Sequence, residues 1–147
     1  MEGLVVVCAD DDSFVRTILK LGLEERGAIV HTFSDGGPAV DFIKRNEVDV
    51  VILDLHMNIM NGDIAALNIR KLHREITIIA LSAHNNFMNL FDMSMFDDVL
   101  EKPIDYERLI MNIKQKKDYL SSWDSVVEKM PQKDDLSSWD SVVEKHE

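Results

Sequence analysis

The sequence predicts an α/β fold, a doubly wound, five-stranded parallel sheet with helices on both faces. Two observations carry this. Apolar runs and segments of helical spacing alternate five times within the first 117 of 147 residues, the pattern of strands joined by crossover helices. Four of the runs also stop at a polar group: Leu4–Ala9 at Asp10-Asp11-Asp12, Val50–Leu53 at Asp54, Ile76–Leu81 at Ser82, and Val99-Leu100 at Glu101-Lys102. Crossovers between parallel strands are right-handed almost without exception, so the carboxyl ends of the strands fall on one edge, where open α/β sheets bind ligands.

Taken in order, Leu4–Ala9 is the first strand. From Ser13 to about Arg26, Val15, Ile18, Leu19 and Leu23 recur at helical spacing, and Gly27 closes that helix. Ala28–Phe33 is the second strand. Ser34-Asp35-Gly36-Gly37 is a turn, and Pro38 suits the first position of a helix carrying Val40, Phe42 and Ile43. Val50-Val51-Ile52-Leu53 does not alternate with polar residues, so this central strand has no solvent side. A loop through Gly62 leads to a helix from Ile64 to about His73, with Ile64, Leu67 and Leu72 facing inward. Ile76–Leu81 is the fourth strand. Residues 85–96, rich in Met and Phe, read as a short helix and an irregular segment packed on the core. Val99–Glu101 is the short fifth strand, and Asp105 caps a helix with Leu109, Ile110 and Ile113.

Composition limits the rest. A chain of this length, 46% hydrophobic, buries one core, so a domain over 1–117 with an appendage over 118–147 is expected. No apolar run approaches the roughly 18 residues of a spanning helix, and the N-terminus lacks a signal peptide's basic region and cleavage site, so the expected location is cytoplasmic. The lone cysteine, Cys8, sits within an apolar strand and reads as a buried small hydrophobe of a reducing compartment. A net charge of −11 argues against nucleic acid and anionic membrane as partners and suits a protein partner.

Asp10, Asp11 and Asp54 would crowd three carboxylates on the shared edge, which repel unless a cation lies between them. Oxygen-only ligation with few protein carboxylates favours Mg²⁺. A phosphoryl group arriving on Asp54 would have its oxygens neutralised by that ion and by Lys102, with Ser82 as a hydrogen-bond donor, and Asp54 would be the nucleophile.

Asp10-Asp11, Asp54, Ser82 and Lys102-Pro103, in this order and at these strand ends, resemble the receiver domain of two-component response regulators over about residues 3–117. The resemblance implies a flavodoxin-like strand order of 2-1-3-4-5 and the phosphoacceptor role for Asp54. It implies Mg²⁺ held by Asp11, Asp54 and the His56 backbone carbonyl, with Asp10 acting through water. Ser82, the backbone N–H of Ala83 and Lys102 would bind the phosphoryl group, and Pro103 would follow a cis bond. Arg16, Met57 and Gly62 also fall where the family pattern puts them, and His56, His84, Met57 and Pro103 would flank the site. His56 and His84 read equally as exposed loop histidines and as groups that tune access of the hydrolytic water. Three departures stand out: Asn58 replaces a proline, Val99 replaces the aromatic of the family's hydroxyl–aromatic switch, and 93–98 replace a Gly/Ala-containing turn.

The implied function is a phosphorylation-activated signalling switch, not an enzyme apart from self-catalysed phosphotransfer and autodephosphorylation. Its donor would be a histidine kinase or histidine phosphotransfer protein. The downstream protein would be met through the 87–117 surface or the tail. The alternatives are a phosphorelay intermediate and a haloacid-dehalogenase-type phosphatase; for the latter Asp10-Asp11-Asp12-Ser13-Phe14 fails at its last position. A dinucleotide-binding domain lacks its Gly-rich loop after the first strand. Met1 close before the first strand, and a tail unlike a linker, point to a free-standing regulator. In that tail Leu120–Lys129 recurs identically as Leu136–Lys145, and eight acids against three bases give it a net charge of −5. Each copy sets Leu, Trp and Val on one helical stripe, too short to stand alone in water. It would dock on this domain, on a second copy as a homodimer, or on a separate partner, unless the duplication was introduced in cloning.

Overall fold

Uninterrupted apolar runs become the buried strands of one sheet. In the computed structural model, which describes residues 1–83 and 90–115, the strands are β1 (Val5–Ala9), β2 (Ile29–Phe33), β3 (Val50–Asp54), β4 (Thr77–Ser82) and β5 (Asp98–Glu101). All pairs are parallel, in the order β2-β1-β3-β4-β5. All five residues of β3 are buried, as its lack of alternation requires. The helices are α1 (Ser13–Glu24), α2 (Gly36–Arg45), α3 (Gly62–Arg70) and α4 (106–115). Residues Met1–Lys114 form one compact unit.

The pleat sends alternate side chains of β1 to opposite faces. Val6 and Cys8 join Leu19, Leu23, Leu109 and Ile113 under α1 and α4, while Val7 and Ala9 join Ala39, Ile43, Ala66 and Ile69 under α2 and α3. Burial among apolar neighbours, with the charge of Asp10 adding to it, pushes the Cys8 thiol up to about 12, so it is an inert core thiol at neutral pH.

Two helices start elsewhere than the apolar periodicity suggests. Helix α2 begins at Gly36 with Asp35 as N-cap, so Pro38 takes the third position and not the first. Proline is tolerated there because the first-turn N–H groups have no intrahelical acceptor. Helix α3 begins at Gly62 and turns Ala65, Ala66 and Ile69 inward, leaving Ile64 48% exposed and Leu67 half-buried, contrary to the expected face. The small residues let α3 lie close to β3: a Cβ on Gly62 would fall 2.3 Å from the Asp54 carbonyl oxygen. Leu72 lies past the helix end and is partly buried.

Two arginines clamp these layers. Arg74 donates to the carbonyls of Ile43, Lys44 and Asn46, closing the C-terminus of α2 with a cation where orphan carbonyls and the helix dipole favour one. Arg70 binds the carbonyls of Met95 and Ile76 and pairs with Asp97 at 2.8 Å. Asp97 also accepts the Ile78 N–H, so the irregular segment before β5 is fixed to α3 and β4. Residues 90–96 are irregular, as expected for the end of that connection. The short helix read within 85–96 lies largely outside the described residues, as do His84 and the repeated tail over 118–147.

Candidate functional site

The order β2-β1-β3-β4-β5 reverses direction of growth between β1 and β3, and that is where side-by-side parallel strands leave a crevice at their carboxyl ends. Asp10 follows β1 directly and Asp54 ends β3. Asp11 stands exposed beside them, whereas Asp10 is fully buried and Asp54 is 6% exposed. Carboxylate oxygens of the three lie within 4.8 Å of one another.

Asp10 is held rather than free. Its Oδ1 accepts the Asp12 N–H at 2.9 Å, and its backbone carbonyl accepts from the Arg16 guanidinium at 2.8 Å. Asp12 caps α1 by accepting the Phe14 N–H, so the three aspartates have different tasks. Across the crevice, the Lys102 Nζ lies 2.8 Å from Asp10 Oδ2 and 3.5 Å from Asp54 Oδ1. Lys102 follows β5, its N–H donating to the Ser82 carbonyl at 2.8 Å.

The charges do not balance. Burial, then the charge of Asp10, pushes the Asp54 carboxyl up to about 7; Lys102 opposes them and Asp11 adds to them. Burial disfavours the Lys102 ammonium, but its bond to Asp10 and the charge of Asp54 outweigh this and raise its pKa. A site whose central carboxylate is proton-hungry at neutral pH has room for more positive charge. An all-oxygen donor set with those three ligand atoms converging fits a hard divalent cation.

The other expected residues are placed as follows. Ser82 ends β4, 4% exposed, and Ala83 is exposed just beyond it. His56 is exposed and lines a cavity of about 450 Å³ with Asp54, Leu55, Ser82, Ala83, Leu90 and Phe91. The Met57 side chain is buried in the core under α2 and α3, so what the structure shows of it is packing. The Lys102-Pro103 bond is cis. Val99 is half-buried in β5 and pairs with Ala80 in register.

Asp35 reads from the sequence only as a turn residue. It is a buried carboxylate bonded to the amides of Ile59 and Met60 in the loop after Asp54. An Asp directly before the first turn of a helix was a visible cap signal; nothing local signalled the second role.

Comparisons with known proteins agree in kind. A family model described as "response regulator receiver domain" matches residues 6–114. The autoinducer 1 sensor kinase/phosphatase LuxN of Vibrio campbellii is 33% identical over 100 residues, covering 67% of this chain but only 12% of that protein. The DNA-binding transcriptional regulator NtrC of Rhizobium meliloti is 30% identical over 112 residues, 75% of this chain and 23% of that protein. The chain thus spans less than a quarter of the length of these curated relatives. Among solved structures, the response regulator TrrA of Thermotoga maritima, crystallised in complex with Mg²⁺-BeF, superposes with a TM-score of 0.71 at 27% identity, covering 76% of this chain and 97% of its own. A CheY-like receiver domain from Methanospirillum hungatei gives a TM-score of 0.75 at 21% identity, over 82% of this chain and 98% of its own, and speaks to the fold. Among the described residues no helix is long and apolar enough to cross a membrane.

Proposed function

Because this chain belongs to the response regulator receiver domain family, we propose that it is a two-component switch that takes a phosphoryl group from a phosphohistidine onto Asp54 and signals by protein contact. The observation that carries the reading is the Lys102 ammonium bridging Asp10 and Asp54 at 2.8 and 3.5 Å beside the converging carboxylates.

An Asp54 carboxylate oxygen attacks the phosphorus of the donor, a P–O bond forms, and the P–N bond to the donor imidazole breaks with its electron pair leaving on nitrogen. Lys102 would follow the charge that moves onto the phosphoryl oxygens, and the Ser82 hydroxyl and Ala83 N–H would donate hydrogen bonds to them. Asp11, Asp54 and the His56 carbonyl, with Asp10 through water, would hold Mg²⁺, which would supply charge neutralisation at the transferring oxygens. The structural relative holding Mg²⁺-BeF supports that choice of metal. Hydrolysis returns the free carboxylate when water attacks the same phosphorus. The protein would act on no separate substrate, and passing the group on to a second histidine would be the first step in reverse, on the same residues. The phosphatase alternative is not favoured, since fold and family match are those of receivers. A histidine kinase or phosphotransfer protein as donor, a cytoplasmic location, the 87–117 surface or tail as output contact, and the domain limits 1–117 and 118–147 belong to the same reading.

The test is incubation of the full chain with acetyl phosphate and Mg²⁺, followed by intact-mass measurement and peptide mapping. The expected result is one phosphoryl group on Asp54, dependent on the metal, and no turnover of added phosphomonoesters. Uptake at another residue, or catalytic turnover, would end the proposal. His56 stands exposed in the cavity beside Asp54, so His56→Ala should open the acyl phosphate to water and shorten its lifetime roughly severalfold; an unchanged decay would make it a bystander.

A further inference from the structure

The loop after β3, residues 55–61, carries the His56 carbonyl, and between Met57 and Gly62 Met60 packs partly buried against the core while the two residues before it face solvent. Ile59 is 92% exposed and Asn58 is exposed. The Gly62 N–H closes the loop on the Leu55 carbonyl at 2.9 Å, and two side chains capture backbone amides between. The Asn61 side chain accepts the Met57 N–H at 3.0 Å. From outside the loop, Asp35 accepts the Ile59 N–H on Oδ1 at 3.0 Å and the Met60 N–H on Oδ2 at 3.0 Å.

Asp35 has an ordinary explanation, the N-cap of α2. Its distances argue for more. The capping bond from the Gly37 N–H is 3.4 Å, beyond the usual range, while both loop bonds are near ideal. A cap needs one side-chain oxygen; here each oxygen is turned to a loop amide. Burial alone would raise the Asp35 pKa, but the N–H groups of Ile59, Gly37, Met60 and Gly36 outweigh it and hold the carboxyl below the usual range. Both loop bonds are therefore charge-assisted. The contact is also close: a Cβ on Gly36 would fall 2.7 Å from the Met60 carbonyl oxygen, so only glycine lets the start of α2 touch the loop.

We propose that Asp35 is a positioning residue for the metal site: by holding the Ile59 and Met60 amides it sets the path of the loop, and with it the place of the His56 carbonyl against Asp10, Asp11 and Asp54. The inference rests on the functional reading above. It predicts that Asp35 acts on metal affinity more than on chemistry once metal is bound, because it touches neither the acceptor nor the incoming group.

Two variants separate this from capping. Asp35→Asn turns one of the two acceptors into a donor and must lose a loop bond. Asp35→Ser keeps a good cap residue but is too short to hold both loop amides. Calorimetric titration of the metal-free full chain with Mg²⁺ should show Kd raised roughly tenfold in both variants, the scale of losing an outer partner of a metal site. Amide exchange at Ile59 and Met60 should quicken, and acetyl phosphate uptake at saturating Mg²⁺ should stay within about twofold of wild type. Arg74→Ala, which uncaps the far end of α2, should lower the melting temperature and leave Kd unchanged. Wild-type Mg²⁺ affinity in both Asp35 variants, or an equal loss in Arg74→Ala, overturns the inference alone. A wild-type chain that binds no Mg²⁺ overturns the functional reading and this inference with it.

Discussion

Asp54→Asn should abolish phosphoryl uptake and, in the same protein, raise the melting temperature of the metal-free domain. The first effect is chemical: an amide oxygen is not a carboxylate nucleophile, and the other carboxylate against Lys102, Asp10, is fully buried with Oδ1 taken by the Asp12 N–H and Oδ2 2.8 Å from the ammonium. The second follows from crowding. Burial and the charge of Asp10 drive the Asp54 carboxyl up to about 7, which is a stability statement. The folded pKa lies above the unfolded one, so between the ordinary carboxylate range and about pH 7 the folded state binds more protons, and stability falls as pH rises through that window. Above it the cost is fully present. A neutral amide carries no such cost, so the variant's advantage should be small at pH 4 and full at pH 8. With Lys102 and solvent sharing the compensation, the gain is about 1–3 kcal/mol, some 3–8 °C in a domain of this size. Thermal melts at both pH values in a chelator, beside acetyl phosphate labelling, measure the two effects. A variant no more stable than wild type at pH 8 removes the crowding argument; a variant that still takes up phosphoryl removes Asp54 as acceptor.

The strand ends were legible because they combine two local signals, an apolar run without alternation and a polar residue that stops it. Val50–Asp54 is the clearest case, and the same reading located Asp10, Ser82 and Lys102 on one edge. What the chain hides are bonds between side chains and distant backbone. Asp35 holds amides 24 and 25 residues away, and Arg74 reaches back 31 residues to Ile43; such pairs have no period and no spacing rule. Helix α3 was misplaced for a related reason. Its inward face is Gly62, Ala65, Ala66 and Ile69, and small residues give a weaker apolar signal than Ile64, which faces outward. Met57, in the loop just after Asp54, gains by entering the core under α2 and α3, where it is buried, and a loop position alone does not signal that packing.

Lys102→Met should weaken the fold and slow phosphoryl uptake together, and a second substitution should separate the two effects. Methionine keeps the stem and removes the ammonium that lies 2.8 Å from the fully buried Asp10. Removing one partner of a buried pair leaves an uncompensated charge, a loss of about 3–5 kcal/mol in dry interiors. Lys102 retains 21% side-chain exposure, so water softens this to about 1–3 kcal/mol. Restoring neutrality with Asp10→Asn in the same chain should recover most of that stability, because the orphaned charge and not the missing contact is the penalty; the double-mutant cycle reads the coupling directly. Uptake should respond otherwise. If Lys102 faces the transferring oxygens as proposed, its loss costs on the order of 10²–10³ in rate, and neutralising Asp10 supplies no positive charge to replace it, so the double variant should fold well and remain slow. If the double variant regained both stability and rate, Lys102 would be a structural counter-ion to Asp10 and the phosphoryl group would be met by other residues. If Lys102→Met alone were as stable as wild type, the ammonium would not be what holds these carboxylates together before the metal arrives.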